Sequence, residues 1–348
     1  MNSPQTSLAD GHVVPRSGIS RSMMAAIGFL LLIGLGLGSL VLGVRTIDPL
    51  TVIEALLAYD PTLRDHLIVW DYRLPRMMLA MLCGSAFGAA GALIQAVTRN
   101  PLADPGLLGV NAGAAFFVTL AVGVLGWQSI DAYLWAAFAG AIVVTLLVYA
   151  IGAAGREGAT PVRLVLSGVA LSAVLGGIGS AVILLDPQAF EAMRQWSVGS
   201  VSGRDMHVVM TITPFIATGL VVALIVARPL NALALGEELA RSLGSDMLKT
   251  RILVVISVTL LAGAATAAAG PIGFIGLMVP LAVRWLTGPD QRWIILLTMV
   301  FSPALLLAAD IVGRLVLPSS EIEAGIVTAF LGAPVLILLA RHSKASGL

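Results

Sequence analysis

The residue types that usually carry catalysis or bind metals are few in this chain and widely spaced. Its four histidines, His12, His66, His207 and His342, stand in the terminal segments or at loop edges, and its one cysteine, Cys83, lies in an apolar run. A metal cage or a nucleophile–base pair needs several such residues that the fold can bring together. The sequence therefore predicts no catalytic residue, no metal site and no bound cofactor, and it excludes an intramolecular disulfide.

The motif that holds nucleotide phosphates is also missing from the sequence. The two lysines, Lys249 and Lys344, follow Leu248 and Ser343, so neither belongs to a G-x-x-x-x-G-K-[ST] loop. The formal net charge of the 348-residue chain is only +1, which argues against a nucleic-acid partner. We therefore expect that this chain is not an enzyme and does not itself hydrolyse ATP.

The elements that surround these residues are hydrophobic spans. Of the chain, 58% is hydrophobic and 11% is charged, far from the usage of soluble proteins. About 20 apolar residues in a helix cross a bilayer, where the backbone polar groups must be paired within the helix. We predict an all-α, polytopic membrane protein of about ten transmembrane helices, at residues 23–44, 74–98, 107–125, 132–152, 162–185, 207–227, 252–269, 274–286, 294–311 and 324–339.

The distribution of basic residues gives the expected orientation. Most Lys and Arg residues fall on the cytoplasmic side if both termini are cytoplasmic, as the positive-inside rule requires. The predicted organisation is a flexible cytoplasmic tail at residues 1–21, a transmembrane domain at 22–342 and a cytoplasmic tail at 343–348.

Glycine and proline interrupt the apolar pattern at residues 100–106 and 270–273. Unwound backbone inside a membrane is tolerated where it is buried in protein or lines a cavity, so paired interruptions can mark a transport pathway. Ordinary turns explain the same residues, and the sequence alone favours that interpretation. Asp310 is the one acid within a predicted span, whereas an ion-coupled carrier usually keeps several.

The loop between the sixth and seventh spans, at residues 229–247, predicts two short helices hinged at Gly236. Pro229 suits the first turn of a helix, and Glu237 and Glu238 suit the positively polarised start of the second helix. One apolar face is formed by Leu235, Leu239, Ala240 and Leu243. An apolar face on an acidic element favours docking to another protein over contact with an anionic lipid surface.

Six motifs resemble one protein family, the permease subunits of binding-protein-dependent ABC importers for iron–siderophore, haem and vitamin B12. They occur in family order at residues 73–76 (RLPR), Gln95 with 100–109 (NPLADPGLLG), 235–238 (LGEE), 273–280 (GFIGLMVP), 309–314 (ADIVGR) and 325–334 (GIVTAFLGAP). The resemblance implies the type II ABC importer permease fold and a place in the bacterial cytoplasmic (inner) membrane, surrounded by membrane lipid.

The resemblance also implies protein partners. They are two copies of an ATP-binding subunit, a periplasmic or lipoprotein substrate-binding protein, and a second permease that forms a homodimer or a homologous heterodimer with this one. Coupling helices contact the ATPase in this family, and the matching residues here are Leu235, Gly236, Glu237, Glu238, Leu239, Ala240, Arg241 and Leu243.

Three arginines, Arg73, Arg76 and Arg314, match family positions that hold the binding protein. Arginine suits such a role because its planar fork pairs with a carboxylate and keeps its charge. Two alternatives remain open: Arg73 and Arg76 can anchor a helix end at the membrane interface, and Arg314 can pair with Asp310 one turn earlier.

The resemblance places a cytoplasmic gate at two short segments of this chain. The matching residues are Asn100, Leu102, Thr160 and Pro161. Pro161 departs from the family pattern, in which a small polar residue is expected at this position. Asn100 also suits an ordinary turn before a proline.

The function expected from the resemblance is that of a transmembrane permease that imports ferric siderophore, powered by ATP hydrolysis in a separate subunit. Haem and vitamin B12 are alternative cargoes that the sequence does not separate from siderophores. An ion-coupled secondary transporter is the alternative from another class, and it would need coupling-ion ligands within its spans.

Overall fold

The computed structural model describes residues 20–127, 129–154, 160–234, 236–242, 244, 246–317 and 320–345, whose regular secondary structure is helical. The helices in chain order are α1 (Arg21–Val41), α2 (Pro49–Leu57), α3 (Arg64–Leu67), α4 (Leu74–Thr98), α5 (Val110–Gly123), α6 (Ile130–Ala153), α7 (Pro161–Leu185), α8 (Pro187–Ser197), α9 (Met206–Ala234), α10 (Glu237–Ser242), α11 (Met247–Ala269), α12 (Ile275–Thr287), α13 (Gln291–Leu315) and α14 (Ala324–Ala345). A π-helical segment, Ile68–Arg73, leads into α4, and a 3-10 turn, Pro105–Leu108, precedes α5.

The ten predicted spans correspond to ten of these helices. Seven helical segments are long and apolar enough to cross a membrane, namely α1, α3–α4, α6, α7, α9, α11 and α13. Shorter apolar helices form α5, α12 and the apolar part of α14. The eighth span is short, as predicted, since α12 has 13 residues.

The spans alternate in direction, so their connections gather at two ends of the bundle. The end that carries α10 also holds the starts of α1 and α13, where Arg21 donates to the Thr287 carbonyl oxygen at 3.0 Å. We call it the α10 end. The opposite end carries α2, α8 and the starts of α4 and α9, and we call it the α8 end.

The centre of the bundle is α4, which packs against α9, α11, α12 and α13. Many of its buried residues are Gly or Ala, as is usual where membrane helices approach closely. A Cβ added at Gly91 would lie 1.9 Å from the carbonyl oxygen of Gly276 in α12. This crossing of two backbones therefore requires glycine.

Proline in α12 removes a backbone hydrogen bond that α4 replaces. Pro280 has no N–H to pair with the carbonyl of Gly276 four residues earlier. The side-chain amide of Gln95 in α4 donates to that oxygen at 3.2 Å and to the oxygen of Leu277 at 3.1 Å. A buried carbonyl within the membrane is thus satisfied by a neighbouring helix.

The same device recurs between α4 and α13. Pro303 leaves the carbonyl of Met299 without its helical partner, and Ser85 Oγ of α4 donates to that oxygen at 2.9 Å. Polar side chains on α4 therefore make prolines tolerable in both neighbouring spans.

The two Gly/Pro interruptions meet inside the bundle. After α11 ends, Gly270 at φ 73° and Phe274 at φ 68° turn the chain into α12. A cavity of about 20 Å³ is lined by both interruptions, among others by Asp104, Gly106 and Gly273. Both stretches are partly enclosed, since Ala103 and Ile272 are buried while Asn100, Leu102 and Gly273 are exposed. Ordinary turns and a transport pathway therefore both stay open as predictions for these stretches.

Candidate functional site

The candidate coupling element follows α9 at the α10 end. Gly236 has a φ of 117°, which is left-handed and suits glycine, and α10 begins at the next residue. The element packs on α9 and α11, with Ala240 fully buried while Leu239 is 50% exposed. It is therefore anchored to the bundle on one face and presents an apolar side chain on another.

The remaining predicted coupling residues are described only in part. Glu238 and Arg241 are exposed beside Leu239. Leu235 and Leu243 lie outside the described residues, and Glu237 is described only as the first residue of α10. The structure thus supports a short helix with an outward apolar side chain and leaves the full predicted apolar face untested.

The predicted pair of short helices is corrected in its first member. Pro229 lies inside α9, which continues to Ala234, so no separate helix begins there. Proline keeps a helical φ and removes only one backbone donor, while Leu230 and Leu233, 1% and 2% exposed, continue the buried face of α9. Burial of this face outweighs the lost hydrogen bond.

The predicted gate residues lie at helix ends. Asn100 Oδ1 accepts a hydrogen bond from the Leu102 N–H at 2.9 Å, so the turn expected for Asn100 is present, and both side chains are exposed. Thr160 Oγ1 accepts from the Arg163 N–H at 3.4 Å as the N-cap of α7, and Pro161 is the first residue of that helix. The side-chain hydrogen bonds described for Asn100 and Thr160 are therefore local.

Arg73 caps a helix at the α8 end. Its side chain is buried, and its guanidinium donates to the carbonyl oxygens of Leu40, Val41 and Arg45. Carbonyls at the C-terminus of a helix lack helical partners and carry partial negative charge, and these contacts satisfy them at the end of α1. Arg73 therefore joins the start of α4 to the end of α1.

Arg76 and Arg314 share one buried acid. Asp310, 1% exposed, lies 2.8 Å from Nη2 of Arg76 through Oδ1 and 2.8 Å from Nη2 of Arg314 through Oδ2. Arg76 Nη1 also lies 2.7 Å from Glu321. The alternative that Arg314 pairs with Asp310 is confirmed, and the two arginines and two acids balance in charge.

Two cavities open at the α8 end. One of about 390 Å³ is lined among others by Arg45, Arg76, Arg204 and Glu321, and one of about 660 Å³ by Tyr133, Arg194, Trp196, Arg204 and Glu323. Between them lies the loop that follows α8, which contributes Arg204 to both. On α8 itself, hydrogen bonds from Arg194 lower the pKa of Glu191. The α8 end thus forms a broad recess over the bundle, with several charged side chains in its lining.

The FecCD transport family matches this chain over residues 30–342. The chain belongs to this family. A solved structure described as an inward-facing metal-chelate type ABC transporter superposes on this FecCD permease with a TM-score of 0.82 and 25% identity, covering 92% of this chain and 99% of that one. The predicted type II ABC importer permease fold is therefore confirmed.

Curated relatives of this FecCD permease are similar over most of their length. The ferric enterobactin transport system permease protein FepD of Escherichia coli (strain K12) is 45% identical over 310 residues, which cover 89% of this chain and 92% of FepD. The Fe(3+)-citrate import system permease protein YfmD of Bacillus subtilis (strain 168) is 38% identical over 334 residues, or 96% and 98%. The cobalamin import system permease protein BtuC of Halobacterium salinarum is 37% identical over 289 residues, or 81% and 76%.

Family membership confirms the predicted role of a multi-pass membrane permease in an ABC importer. FecCD permeases are not themselves enzymes, and the ATPase is a separate subunit. This agrees with a chain whose two lysines do not belong to a phosphate-binding loop.

Sequence reasoning missed several polar side chains that hold the permease together. The role of Gln95 had one readable signal, because Pro280 follows Gly276 by four residues and must leave its carbonyl unpaired. Asn231 and Asp290, which are hydrogen-bonded at 2.8 Å, are 59 residues apart in the chain and gave no local signal.

Proposed function

We propose that this permease moves ferric siderophore across the bacterial cytoplasmic membrane, with the α10 end in the cytoplasm. Two ATP-binding subunits dock on the α10 element, and a periplasmic or lipoprotein binding protein delivers cargo to the α8 end. A second permease, identical or homologous, completes the pathway. The observation that carries the cargo assignment is the 45% identity to a ferric enterobactin permease across 92% of its length.

Two further observations support an iron chelate. Other relatives named for ferric cargoes include a probable siderophore permease and a Fe(3+)-citrate permease, each 38% identical. The recess at the α8 end is lined by the guanidinium of Arg204 among others, and a guanidinium attracts carboxylate or catecholate chelates of iron, which are bulky anions. A cobalamin permease is also 37% identical, so cobalamin is included as an alternative cargo in the uptake test below.

Uptake by cells that lack this gene tests the cargo. Radiolabelled iron supplied as ferric siderophore, labelled cobalamin and haem are compared before and after the gene is restored. We expect the deletion to abolish uptake of a ferric siderophore and to leave the other two unchanged. A deletion that impairs only cobalamin or haem uptake would overturn the cargo assignment.

The ATPase-docking proposal rests on the exposure pattern of α10. Leu239 is 50% exposed on a helix whose other face is anchored through Ala240, and exposed charges flank it. An exposed apolar side chain within a polar rim is typical of the centre of a small interface. Movement of an ATPase bound to this short helix would therefore move the helix with it.

Charge reversal and polar substitution on α10 test this proposal. The variant Glu237→Arg with Leu239→Asp should lose copurification of the ATPase and siderophore uptake together, because it removes the apolar contact and inverts the local charge. Arg228→Glu, an exposed charge reversal on the neighbouring α9, serves as the control and should keep both. Intact association and uptake in the α10 variant would refute ATPase docking at this element.

Docking of the binding protein at Arg73, Arg76 and Arg314 remains part of the proposal. Because these side chains also make contacts within this chain, the test must separate docking from structural support. Their guanidinium groups already bind carbonyls and acids of this chain. A direct role in docking predicts that Arg73→Glu with Arg76→Glu weakens binding-protein affinity most at low salt, because charge attraction between the two proteins is screened as salt rises.

A salt-independent loss in the same variant would instead indicate a distorted α8 end and would remove the direct role. Arg45→Glu is the matched control for charge, since Arg45 lines the same cavity with a side chain that is 58% exposed and paired only with Asp65 among the described ion pairs.

The contacts of Asp310 weigh against an ion-coupled carrier. A coupling-ion site needs a carboxylate that is free to bind and release a cation within the membrane. Asp310 has each oxygen 2.8 Å from a different arginine, so a cation would have to displace a guanidinium. This arrangement supports a structural role for the acid and a separate source of energy for transport.

A further inference from the structure

The last turn of α9, just before the coupling element, is joined by side chains to two other segments at the α10 end. The turn itself is buried, with Leu230 1% and Leu233 2% exposed. One of the joined segments continues into the 100–106 interruption. The other lies beyond α12, which starts at the 270–273 interruption.

The first connection is a hydrogen bond from Arg99. Its Nη2 donates to the carbonyl oxygen of Leu233 at 2.7 Å. That carbonyl lies in the last turn of α9, where helical partners are missing and a positive charge is favoured. Arg99 is also the C-cap of α4, with a left-handed φ of 50°, and is followed at once by the predicted gate residues Asn100 and Leu102. We call residues 100–102 the gate segment. The gate segment is thus tied to the end of α9.

The second connection is made by Asn231. Its Nδ2 donates to Asp290 Oδ1 at 2.8 Å, and its Oδ1 accepts from the Gln291 N–H at 2.7 Å. Asp290 is the N-cap of α13, where it also accepts from the Arg292 N–H at 3.1 Å. The side-chain amide of Asn231 therefore makes two hydrogen bonds to the α12–α13 turn.

A third helix joins the same turn. Arg21 of α1 donates to the Thr287 carbonyl oxygen at 3.0 Å and lies 3.5 Å from Asp290. The α12–α13 turn is consequently held from two sides, by α1 and by α9. Displacement of α9 relative to α1 must strain one of these two sets of hydrogen bonds.

We propose that the last turn of α9 is a branch point, at which Arg99 and Asn231 act as positioning residues that pass displacement of the coupling element to the gate segment and to α12 respectively. Each connection leads to one of the two interruptions that meet at the small cavity inside the bundle. The proposal rests on the proposed docking of an ATPase at α10, because that is the displacement to be transmitted.

The variant Arg99→Gly tests the hydrogen bond without disturbing the fold. Arg99 already has a positive φ, which glycine adopts without strain, so Arg99→Gly removes the guanidinium and keeps the end of α4. Asn231→Ala removes the other connection and places a good helix former in α9. Arg228→Ala, an exposed arginine on the same helix, is the control for loss of charge.

Two introduced cysteines, labelled in the assembled transporter, report separately on the connections made by Arg99 and by Asn231. Leu102→Cys reports the gate segment, since Leu102 is 46% exposed, and Pro289→Cys reports the exposed α12–α13 turn. The native Cys83 is fully buried and is replaced by Ala in all variants. Thiol labelling rates are compared without nucleotide and with ATP plus vanadate, in reporters that retain siderophore uptake.

We expect each variant to reduce the nucleotide-dependent change in labelling at one reporter and not at the other. Arg99→Gly should reduce the nucleotide-dependent change in labelling at Leu102→Cys by about tenfold or more, the size of one charge-assisted hydrogen bond, and leave the change at Pro289→Cys intact. Asn231→Ala should do the reverse. In both variants ATP hydrolysis continues with less cargo moved per ATP, and Arg99→Lys restores part of the response at Leu102→Cys.

Several outcomes overturn the branch point. They are an unchanged response at both reporters, an equal loss at both reporters in each single variant, and loss of ATPase association in Arg99→Gly, which would make Arg99 a docking residue. Failure of the docking proposal itself is seen separately, because it appears as retained ATPase association in the Glu237→Arg, Leu239→Asp variant.

Discussion

The two spans α11 and α7 have nearly the same mean hydropathy but opposite surroundings. In the most apolar stretch of α11, 72% of the residues are buried within the chain, whereas in α7 only 11% are buried. A membrane removes the usual penalty for exposing apolar surface, so hydropathy identifies both as spans and says nothing about which one packs inside the bundle.

Glycine contacts distinguish the two environments where hydropathy does not. In the bundle centre, Gly91 leaves no room for a Cβ against Gly276. In α7, a Cβ added at Gly176 or Gly177 would meet no atom within 4 Å. The small residues of α4 therefore serve packing within this chain, whereas Gly176 and Gly177 of α7 are open to lipid or to the second permease proposed above.

The largest effect on stability is expected from Gly91→Leu. The added side chain must separate the backbones of α4 and α12, since both the carbonyl and the Cα of Gly276 lie within 2.5 Å of the new Cβ. We expect a loss of at least about 3 kcal/mol in the free energy of unfolding, and little folded protein. Thermal unfolding in detergent with size-exclusion chromatography measures it. A fold as stable as the parent would mean that α4 and α12 are not in contact.

Asp310→Ala should rank second. It leaves the buried Arg76 and Arg314 without their shared acid, and breaking a buried ion pair in this way costs about 3–5 kcal/mol. The same unfolding measurement applies. Glu191→Ala, which breaks the exposed pair with Arg194, is the matched control and should barely move the midpoint. Equal effects of the two variants would contradict the burial of Asp310.

Gln95→Leu tests the side chain that replaces a proline-freed bond. The Gly276 carbonyl would lose its partner within the membrane, at a cost of about 1–3 kcal/mol. Pro280→Ala restores a backbone N–H to that carbonyl. The double variant should therefore lose less stability than the sum of the single variants, and strict additivity would show that the two residues do not serve the same oxygen.

Gly177→Leu should have the smallest effect on the isolated chain, less than about 0.5 kcal/mol, because the site is open. If α7 faces the second permease, the same variant should reduce the paired fraction seen by native mass spectrometry. Loss of stability without loss of pairing would instead place this face against the chain itself.

The sequence predicted the spans well because hydropathy depends on local composition. Residues 74–98 were predicted as a span, and α4 has these same bounds. The hinged pair of helices was wrong at Pro229, since the sequence cannot weigh one lost hydrogen bond against burial of Leu230 and Leu233. Local reasoning also could not pair Arg76 with Asp310, because 234 residues separate them and only the packed bundle brings them together.

The predicted coupling residues show the same difference between what a local motif predicts and what only the tertiary arrangement reveals. The LGEE motif and its apolar spacing predict a docking element; the structure has a short helix there, α10, with an exposed Leu239, and docking stays a prediction. What joins the last turn of α9, just before this element, to α4 and to the α12–α13 turn is made by Arg99 and Asn231, and it follows from the tertiary arrangement of helix ends and not from any motif.

Reconstitution into proteoliposomes tests the central claim most directly. The permeases are incorporated with the ATPase subunits, loaded binding protein is added on the side of the α8 end, and uptake of labelled ferric siderophore is followed. We predict accumulation that requires ATP and the ATPase and that disappears in the Glu237→Arg, Leu239→Asp variant. Accumulation driven by a proton or sodium gradient, without ATPase and without nucleotide, would contradict the account.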